Sequence, residues 1–499
     1  MNFSKLSDYL KLDRKEFLFQ FQSHPNYPSA LAFSDTLNFL GVKNEAYNLE
    51  KEYWEELPEE YITVYNNNFS LLAKEEQGFK VFSDDVKFIS KEELYKNSDN
   101  FILLFDAEDN TKAKEKFNYK YVVFVILGFI LIYSVIFLKW YDTLFNLLSV
   151  AGLYVSLELF NKKFGQESVV LNNICGARPD KPKENCSKII DSDKINIFGL
   201  KLSDFSMIYF ISILLLGVAI PTSSLVLKII TSISSLIIFY SLYVQIFVEK
   251  TFCKICLLIV SILILQIALS EIYFSNSFSL NILFISFLVF SVVFGSLIFV
   301  NNLLFEKDVL MKSNLKNLRF KRNYDLFKRE LVNKEKINFK DNLSGFFIGS
   351  KNSKLHISVV SNPYCGYCKD AHEILEKLNK KYPDDISFQI RFNYARRQED
   401  ENLDLLMQSL FCIYSKNEKE FLNAMHFWFE IKDLKLFTDK FKNDETKDLS
   451  VLKELTEDNL ENNLNFTPVF IINGYQFPDK YEREDIFYFI DELLEDEEI

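Results

Sequence analysis

Six of the seven cysteines in this 499-residue chain fall into three close pairs. Two are C-x-x-C dithiols, Cys253-Lys254-Ile255-Cys256 and Cys365-Gly366-Tyr367-Cys368. The third pair, Cys175 and Cys186, is separated by a stretch containing Gly176, Pro179 and Pro182. A two-residue spacer lets two sulfurs close a disulfide. A Cys at a helix N-terminus also meets unpaired N–H groups and the positive end of the dipole, which favour the thiolate. Cys365 is therefore expected to be the exposed attacking sulfur and Cys368 the buried resolving one. Such pairs can carry out thiol–disulfide exchange, governed by thiolate fraction and relative potential. Half a zinc site is the competing reading for Cys365 and Cys368. His372 stands one turn further on, but no fourth group is spaced to complete a tetrahedron, so no metal is expected. Cys412, inside the apolar run Leu410-Phe411-Cys412-Ile413, reads as a buried inert thiol.

The elements that must hold Cys365 and Cys368 follow from the local pattern. Residues 354–361 are β-rich and end at the pair, and a helix is expected over 369–382. A second strand at 386–392 and helical sequence through Leu405, Leu406, Leu410 and 421–434 come next. Thr467-Pro468 then precedes a strand at 469–472, a Gly474 turn and a closing helix over 484–494. That order is thioredoxin-like, which implies a cis Pro468 beside the active pair. Thr467 would then offer its backbone to an incoming peptide as an added strand.

Cys253 and Cys256 sit where a polar loop enters an apolar run. Six such runs, 121–138, 142–160, 205–220, 224–248, 255–274 and 278–300, each approach the ~20 residues that cross a bilayer. An even number of spans puts both termini, the loop with Cys175 and Cys186, and the start of the Cys253 span on one side. Lys162, Lys163, Lys307, Lys312, Lys316, Arg319, Lys321 and Arg322 flank that side, which by the positive-inside tendency would be cytoplasmic. Stable dithiol oxidation belongs outside the cytoplasm. The redox argument is given precedence, which places the dithiols on the outer side.

The remaining totals exclude other classes. A net charge of −12 argues against a nucleic-acid partner. Sparse, paired cysteine is unlike a disulfide-stapled secreted scaffold. No Gly-rich phosphate loop is visible, and the charged, amphipathic first 22 residues do not read as a cleavable signal peptide. Residues 1–110 read as a small α+β domain, 303–340 as a basic helical linker and 341–499 as the thioredoxin-like domain. The first domain has helical spacing over 6–22 and 29–40, and β-like runs at 61–65, 69–73 and 101–105.

Cys175, Cys186-Ser187, Ser192, Phe198-Gly199 and Cys253-x-x-Cys256 resemble the vitamin K epoxide reductase family. Asn362-Pro363-Tyr364-Cys365 and Thr467-Pro468-Val469-Phe470-Ile471-Ile472-Asn473-Gly474 look like the thioredoxin partner fused to bacterial members. His24-Pro25-Asn26-Tyr27-Pro28-Ser29, followed by Asp35-Thr36-Leu37, resembles the papain-like peptidase domain of bacteriocin-processing exporters. A peptidase needs a Cys nucleophile, and none precedes Cys175, so that resemblance implies a degenerate, non-catalytic domain. The combined resemblance implies a four-helix core within a polytopic membrane domain, 118–302. It also implies a bacterial inner-membrane protein whose thioredoxin-like domain faces the periplasm.

The same resemblance implies a route for electrons. Reduced exported proteins or peptides would reduce the Cys365–Cys368 disulfide. The pair would pass through Cys175 and Cys186 to Cys253, and Cys256 would deliver it to a membrane quinone, ubiquinone or menaquinone. Ser192 is carried over as a quinone-pocket or loop-positioning residue. Val260 stands where animal members carry a Tyr, so vitamin K epoxide is not implied as substrate. Tyr367 replaces the usual Pro or His, so no potential is carried over from relatives. Two alternatives remain at this stage: a dedicated binding or maturation protein for one exported peptide, and a reductase with the flow reversed.

Overall fold

The computed structural model describes all residues except 1–2, 76–77, 83–85, 107–119, 165–199, 220–224, 249, 251, 341–344, 351, 395–400 and 443–447. Cys175, Cys186 and Ser192 lie outside the described residues. The chain divides into two compact units, Lys114–Ser313 and the combination of Met1–Ala113 with Asn314–Ile499.

The first unit is a bundle of apolar helices. Four are long and apolar enough to cross a membrane: Trp140–Lys163, Leu225–Val248, Lys254–Tyr273 and Leu280–Lys321. The other two expected runs contribute shorter apolar helices, Val125–Phe137 and Asp204–Val218. Six runs thus give four helices of spanning length among the described residues. Leu225–Val248 is not uniform, since α-helical Leu225–Ile233 and Ser235–Tyr243 give way to a π-helical turn, Val244–Val248. Polar side chains inside this apolar bundle must find one another, because no water is there to satisfy them. Tyr209 donates to Gln266 Oε1 at 3.2 Å, and Gln266 Nε2 donates to Ser149 Oγ at 2.8 Å. Lys163 Nζ meets Asp204 at 2.7 Å and Asn301 at 2.8 Å. Three helices are tied together by each set.

The second unit holds two sheets. The N-terminal one is six-stranded, from β1 (Asn44–Asn48), β2 (Glu60–Tyr65), β3 (Asn68–Glu75), β4 (Gly78–Phe82), β5 (Val86–Ile89) and β6 (Ser98–Phe105), in the order β1-β6-β2-β3-β4-β5. Helices Arg14–Ser23 and Ala30–Phe39, capped by Asp13 and Ser29, cover it with an aromatic core. Phe33 stacks on Phe69 at 4.2 Å within that core. His24 Nε2 lies 3.2 Å from Asp35, and no cysteine is present in this domain to act with it.

The C-terminal sheet comprises β7 (Phe346–Ile348), β8 (Leu355–Ser361), β9 (Ile386–Phe392), β10 (Val469–Ile472) and β11 (Tyr475–Gln476), in the order β11-β10-β8-β9-β7. Strands β8 and β9 are parallel and joined through the helix Cys368–Lys381, while β10 runs antiparallel to β8. This βαβ arrangement places Cys368 at the first turn of a helix that leaves the C-terminal end of a central strand.

Residues 303–340, expected as a linker, do two different things. No Gly or Pro interrupts the sequence after Gly295, so the helix Leu280–Lys321 continues straight through the basic stretch. The helix Tyr324–Val332 then buries Phe327 and Leu331, four residues apart on one face, in the thioredoxin-like core. Phe327 stacks on Phe489 at 4.0 Å. Between the two helices Arg322 is buried, donating to Gln20 at 2.9 Å and lying 3.5 Å over the Tyr488 ring. One guanidinium therefore bonds the N-terminal domain and covers the C-terminal one.

Candidate functional site

The soluble dithiol is built outward from the end of β8. After Ser361 the chain turns at Asn362, whose carbonyl accepts the Cys365 N–H at 3.0 Å and whose Oδ1 accepts the Tyr364 N–H at 2.9 Å. Asn362 Nδ2 is itself anchored on the Asn393 carbonyl at 3.0 Å, just past β9. Trp428, buried on the helix Glu418–Ile431, donates its indole N–H to the Pro363 carbonyl at 2.9 Å. Lys432 donates to the Cys365 carbonyl at 3.2 Å. The Cys365 loop is thus held by polar groups from two separate elements, the end of β9 and the helix Glu418–Ile431 with its C-cap Lys432.

The two sulfurs in this loop have different surroundings. Cys368 is fully buried, and Cys365 is partly exposed with Sγ 3.5 Å from the Thr467 carbonyl. The Thr467–Pro468 peptide is cis, directly before β10. Burial alone would push the Cys365 thiol up. Hydrogen bonding at Thr467 and Cys368, with the N–H groups of Tyr367 and Cys368 at the helix start, outweighs it and holds the thiol below its ordinary value. Burial pushes Cys368 up to about 11. His372 is buried one turn further along, stacked on Phe429 at 4.4 Å and 2.9 Å from Ser361 Oγ. Burial drives its pKa down to about 3, which makes it a neutral packing group at the back of the site. Cys412 is buried in the helix Glu401–Lys416.

The membrane dithiol has a different construction. Cys253 is the N-cap of the helix Lys254–Tyr273, and its Sγ accepts the Cys256 N–H at 3.3 Å. The two sulfurs lie 2.8 Å apart, with Cys256 donating. Both cysteines are buried, in a core that includes Ile255, Ile259, Val260 and Leu263. The Cys253 N–H donates to Gln245 Oε1 at 3.0 Å, across from the preceding helix. A lone amide in the apolar run Leu242-Tyr243-Val244-Gln245-Ile246-Phe247-Val248 was the available signal for this residue, because an amide at membrane depth requires a partner.

Taken together, each C-x-x-C pair has its first sulfur at a helix N-terminus and its second inside the first turn. That geometry stabilises a thiolate at the leading position and lets the second thiol displace whatever sulfur becomes attached to the first. Among the described residues, no three His, Cys, Asp or Glu side chains converge as a metal site.

Residues 143–270 match the vitamin K epoxide reductase family, and residues 341–492 match a thioredoxin family. No curated protein matches the chain. Similar solved structures include a periplasmic thioredoxin-like protein from Salmonella enterica serovar Typhimurium, 21% identical, covering 34% of this chain and 97% of its own, with a TM-score of 0.26. BdbD from Bacillus subtilis, in its oxidised form, is 13% identical and covers 33% of this chain and 100% of its own, with a TM-score of 0.27. The catalytic domain of Proteus mirabilis ScsC is 19% identical over 34% of this chain and 97% of its own, again with a TM-score of 0.27.

Proposed function

Starting from a thiol–disulfide oxidoreductase that joins a vitamin K epoxide reductase family domain to a C-terminal thioredoxin-like domain, we propose a quinone-coupled oxidase that forms disulfides in exported proteins. A client dithiol would lose two electrons and two protons as its S–S bond forms, and the Cys365–Cys368 disulfide would take them up. Exchange through Cys175 and Cys186 would hand the same pair to Cys253 and Cys256. A membrane quinone would finally accept two electrons and two protons as a quinol. Ser192 is proposed to line or position the quinone pocket, and Thr467 and Pro468 to receive the client backbone.

The observation that best supports this reading is the contrast in exposure between the leading sulfurs. Cys365 is accessible to a polypeptide, whereas Cys253 is buried in an apolar core at the start of a membrane helix. A relay from water-soluble client to lipid-soluble acceptor requires one terminus of each kind. The test is quinone reduction by the purified chain in liposomes, fed a reduced unfolded polypeptide. Wild type should reduce quinone, and Cys253→Ala and Cys365→Ala should each fall to background. Undiminished turnover in Cys253→Ala would sink the relay.

The dithiols are assigned to the periplasmic side of a bacterial inner membrane. A membrane-impermeant maleimide should therefore label Cys365 in intact spheroplasts. Protection there would place the domain in the cytoplasm and favour the reversed, reducing direction.

A further inference from the structure

We infer that Gln245 is the positioning residue for the membrane dithiol: its side-chain carbonyl fixes the Cys253 backbone, and through it the place of the Cys253 sulfur. The inference deepens the oxidase reading and rests on Cys253 and Cys256 being a redox couple.

Cys253 sits just outside the helix it caps, so its N–H has no intrahelical acceptor. The residue is completely buried, and an orphaned N–H there would cost the desolvation of a donor with no return. Gln245 Oε1 supplies the acceptor at 3.0 Å. Gln245 is itself buried, 1% exposed, and its other amide atom, Nε2, donates to Ser241 Oγ at 3.2 Å. The Cys253 N–H fixes the amide's orientation: a flipped amide would set NH2 against that N–H and forfeit its bond, whereas the Ser241 hydroxyl can donate or accept.

The backbone explains how a residue eight positions upstream reaches this point. Val244–Val248 is a π-helical turn, which takes more residues per turn than an α-turn and so shifts the direction of the Gln245 side chain from where an unbroken α-helix would send it. Val244 beside it is buried, while Tyr243, Ile246, Phe247 and Val248 remain exposed. The extra residue in that turn therefore serves a local purpose. It aims one amide at the start of the next helix while Ile246, Phe247 and Val248, which follow it, stay exposed.

The consequence is electronic as well as structural. With its backbone fixed, Cys253 places Sγ where it accepts the Cys256 N–H at 3.3 Å. That bond is made by the free sulfur and strengthens as the sulfur becomes a thiolate, so it favours the reduced couple. Releasing the backbone should weaken it and move the couple toward the disulfide.

The test is a redox titration of the full chain in nanodiscs against glutathione buffers, with Cys253 and Cys256 read by differential alkylation and mass spectrometry. Q245M keeps the length of the side chain and removes the acceptor. It should lower the ratio of reduced to oxidised couple at fixed buffer about tenfold, the weight of one hydrogen bond in a water-excluded site. Q245N, whose amide is one methylene shorter, should shift the ratio the same way and serves if Q245M accumulates poorly. Ser261→Ala, on the exposed face of the same helix as Cys256, should leave the ratio where it is. An unchanged ratio in Q245M and Q245N would overturn the positioning role. Because the titration uses no quinone and no client, its failure is separable from a failure of the oxidase reading, which is decided by turnover in Cys253→Ala.

Discussion

The two C-x-x-C pairs share a spacing and a place at a helix start, yet they are supported in opposite ways. The soluble pair hangs on a loop held from a distance: Asn362 through Asn393, Pro363 through Trp428, and the Cys365 carbonyl through Lys432. Among the described residues, the membrane pair is held by one neighbour, Gln245, and by its own helix N-terminus. Water explains the difference. A partly exposed loop needs several remote anchors to keep one conformation against solvent competition. A buried N-cap in an apolar core needs only that its few polar atoms be satisfied, and any unsatisfied one is costly. The two constructions also divide access. Cys365 is open to a polypeptide, while Cys253 can be reached only by a sulfur brought into an apolar setting.

The sharpest way to break that division is to remove each resolving thiol. In Cys368→Ala the lone Cys365 thiol has no disulfide to offer a reduced client, so client oxidation should stop. Given a client that carries a disulfide, Cys365 attacks it and expels one client thiolate. The resulting mixed disulfide should accumulate on non-reducing gels, because no second thiol displaces it. In Cys256→Ala no client adduct should form, because Cys253 is closed to polypeptides. Its trapped species should be internal to the chain, with Cys186. A client adduct on Cys253 would show that the burial does not select partners.

Acidity separates the two pairs next. His372 lies behind Cys368, against Ser361 at the end of β8, and burial holds it neutral with its pKa driven down to about 3. A base whose folded pKa is depressed contributes stability above its unfolded pKa, near 6.5, and that contribution is lost as pH falls toward 3. The full loss amounts to roughly 5 kcal/mol at the acid end, applying ~1.4 kcal/mol per pKa unit. The protection factors of β8 amides in the full chain, exchange rates corrected for the intrinsic rate at each pH, should therefore fall steeply between pH 6 and pH 4. His372→Phe, which keeps the stack on Phe429, should remove most of that dependence. Amides of the Lys254–Tyr273 helix should show no matching change, since Gln245 does not titrate. Equal acid sensitivity in both regions would mean that the membrane pair has a titrating support as well.

Much of this architecture is legible in the sequence because it is written in local patterns. The strands at β8, β9 and β10 and the helix after Cys368 follow from β-branched runs and helical spacing, and the apolar runs mark the membrane helices. The reasons for the misses are equally specific. Phe327 and Leu331 stand among basic residues, which hid a four-residue apolar repeat and made a packed helix look like a linker. Strands β1 and β5 are short and largely exposed, and β4 is short and half-buried along its length, so none shows the alternation of buried and exposed positions that marks a strand. The closing helix is interrupted at Phe489, where a 3-10 turn ends and an α-helix begins, because that ring turns inward to stack on Phe327. In the candidate site the cysteines were visible from their spacing. Gln245 was not, since its importance lies in a contact made across two helices.

The smallest expected effect probes how far the remote support of the soluble pair extends. Asn417 caps the helix Glu418–Ile431 by accepting the N–H groups of Lys419 and Glu420 at 2.9 and 3.2 Å. That helix carries Trp428, whose indole holds Pro363 beside Cys365. Replacing a cap of this kind by Ala costs about 1 kcal/mol. Asn417→Ala should accordingly lower the stability of the thioredoxin-like domain by that amount in denaturant titrations. Its first turn would fray, but Trp428 lies three turns further along, so the rate of Cys365 alkylation at neutral pH should change by less than about twofold. A larger change would mean that strain at the far end of the helix is transmitted to the Pro363 carbonyl, and that the soluble dithiol depends on the whole helix. Trp428→Phe provides the reference point, because it removes the indole donor together with part of the buried ring. If Asn417→Ala alters the alkylation rate as much as Trp428→Phe does, the contrast with the single-neighbour support at Cys253 becomes greater still.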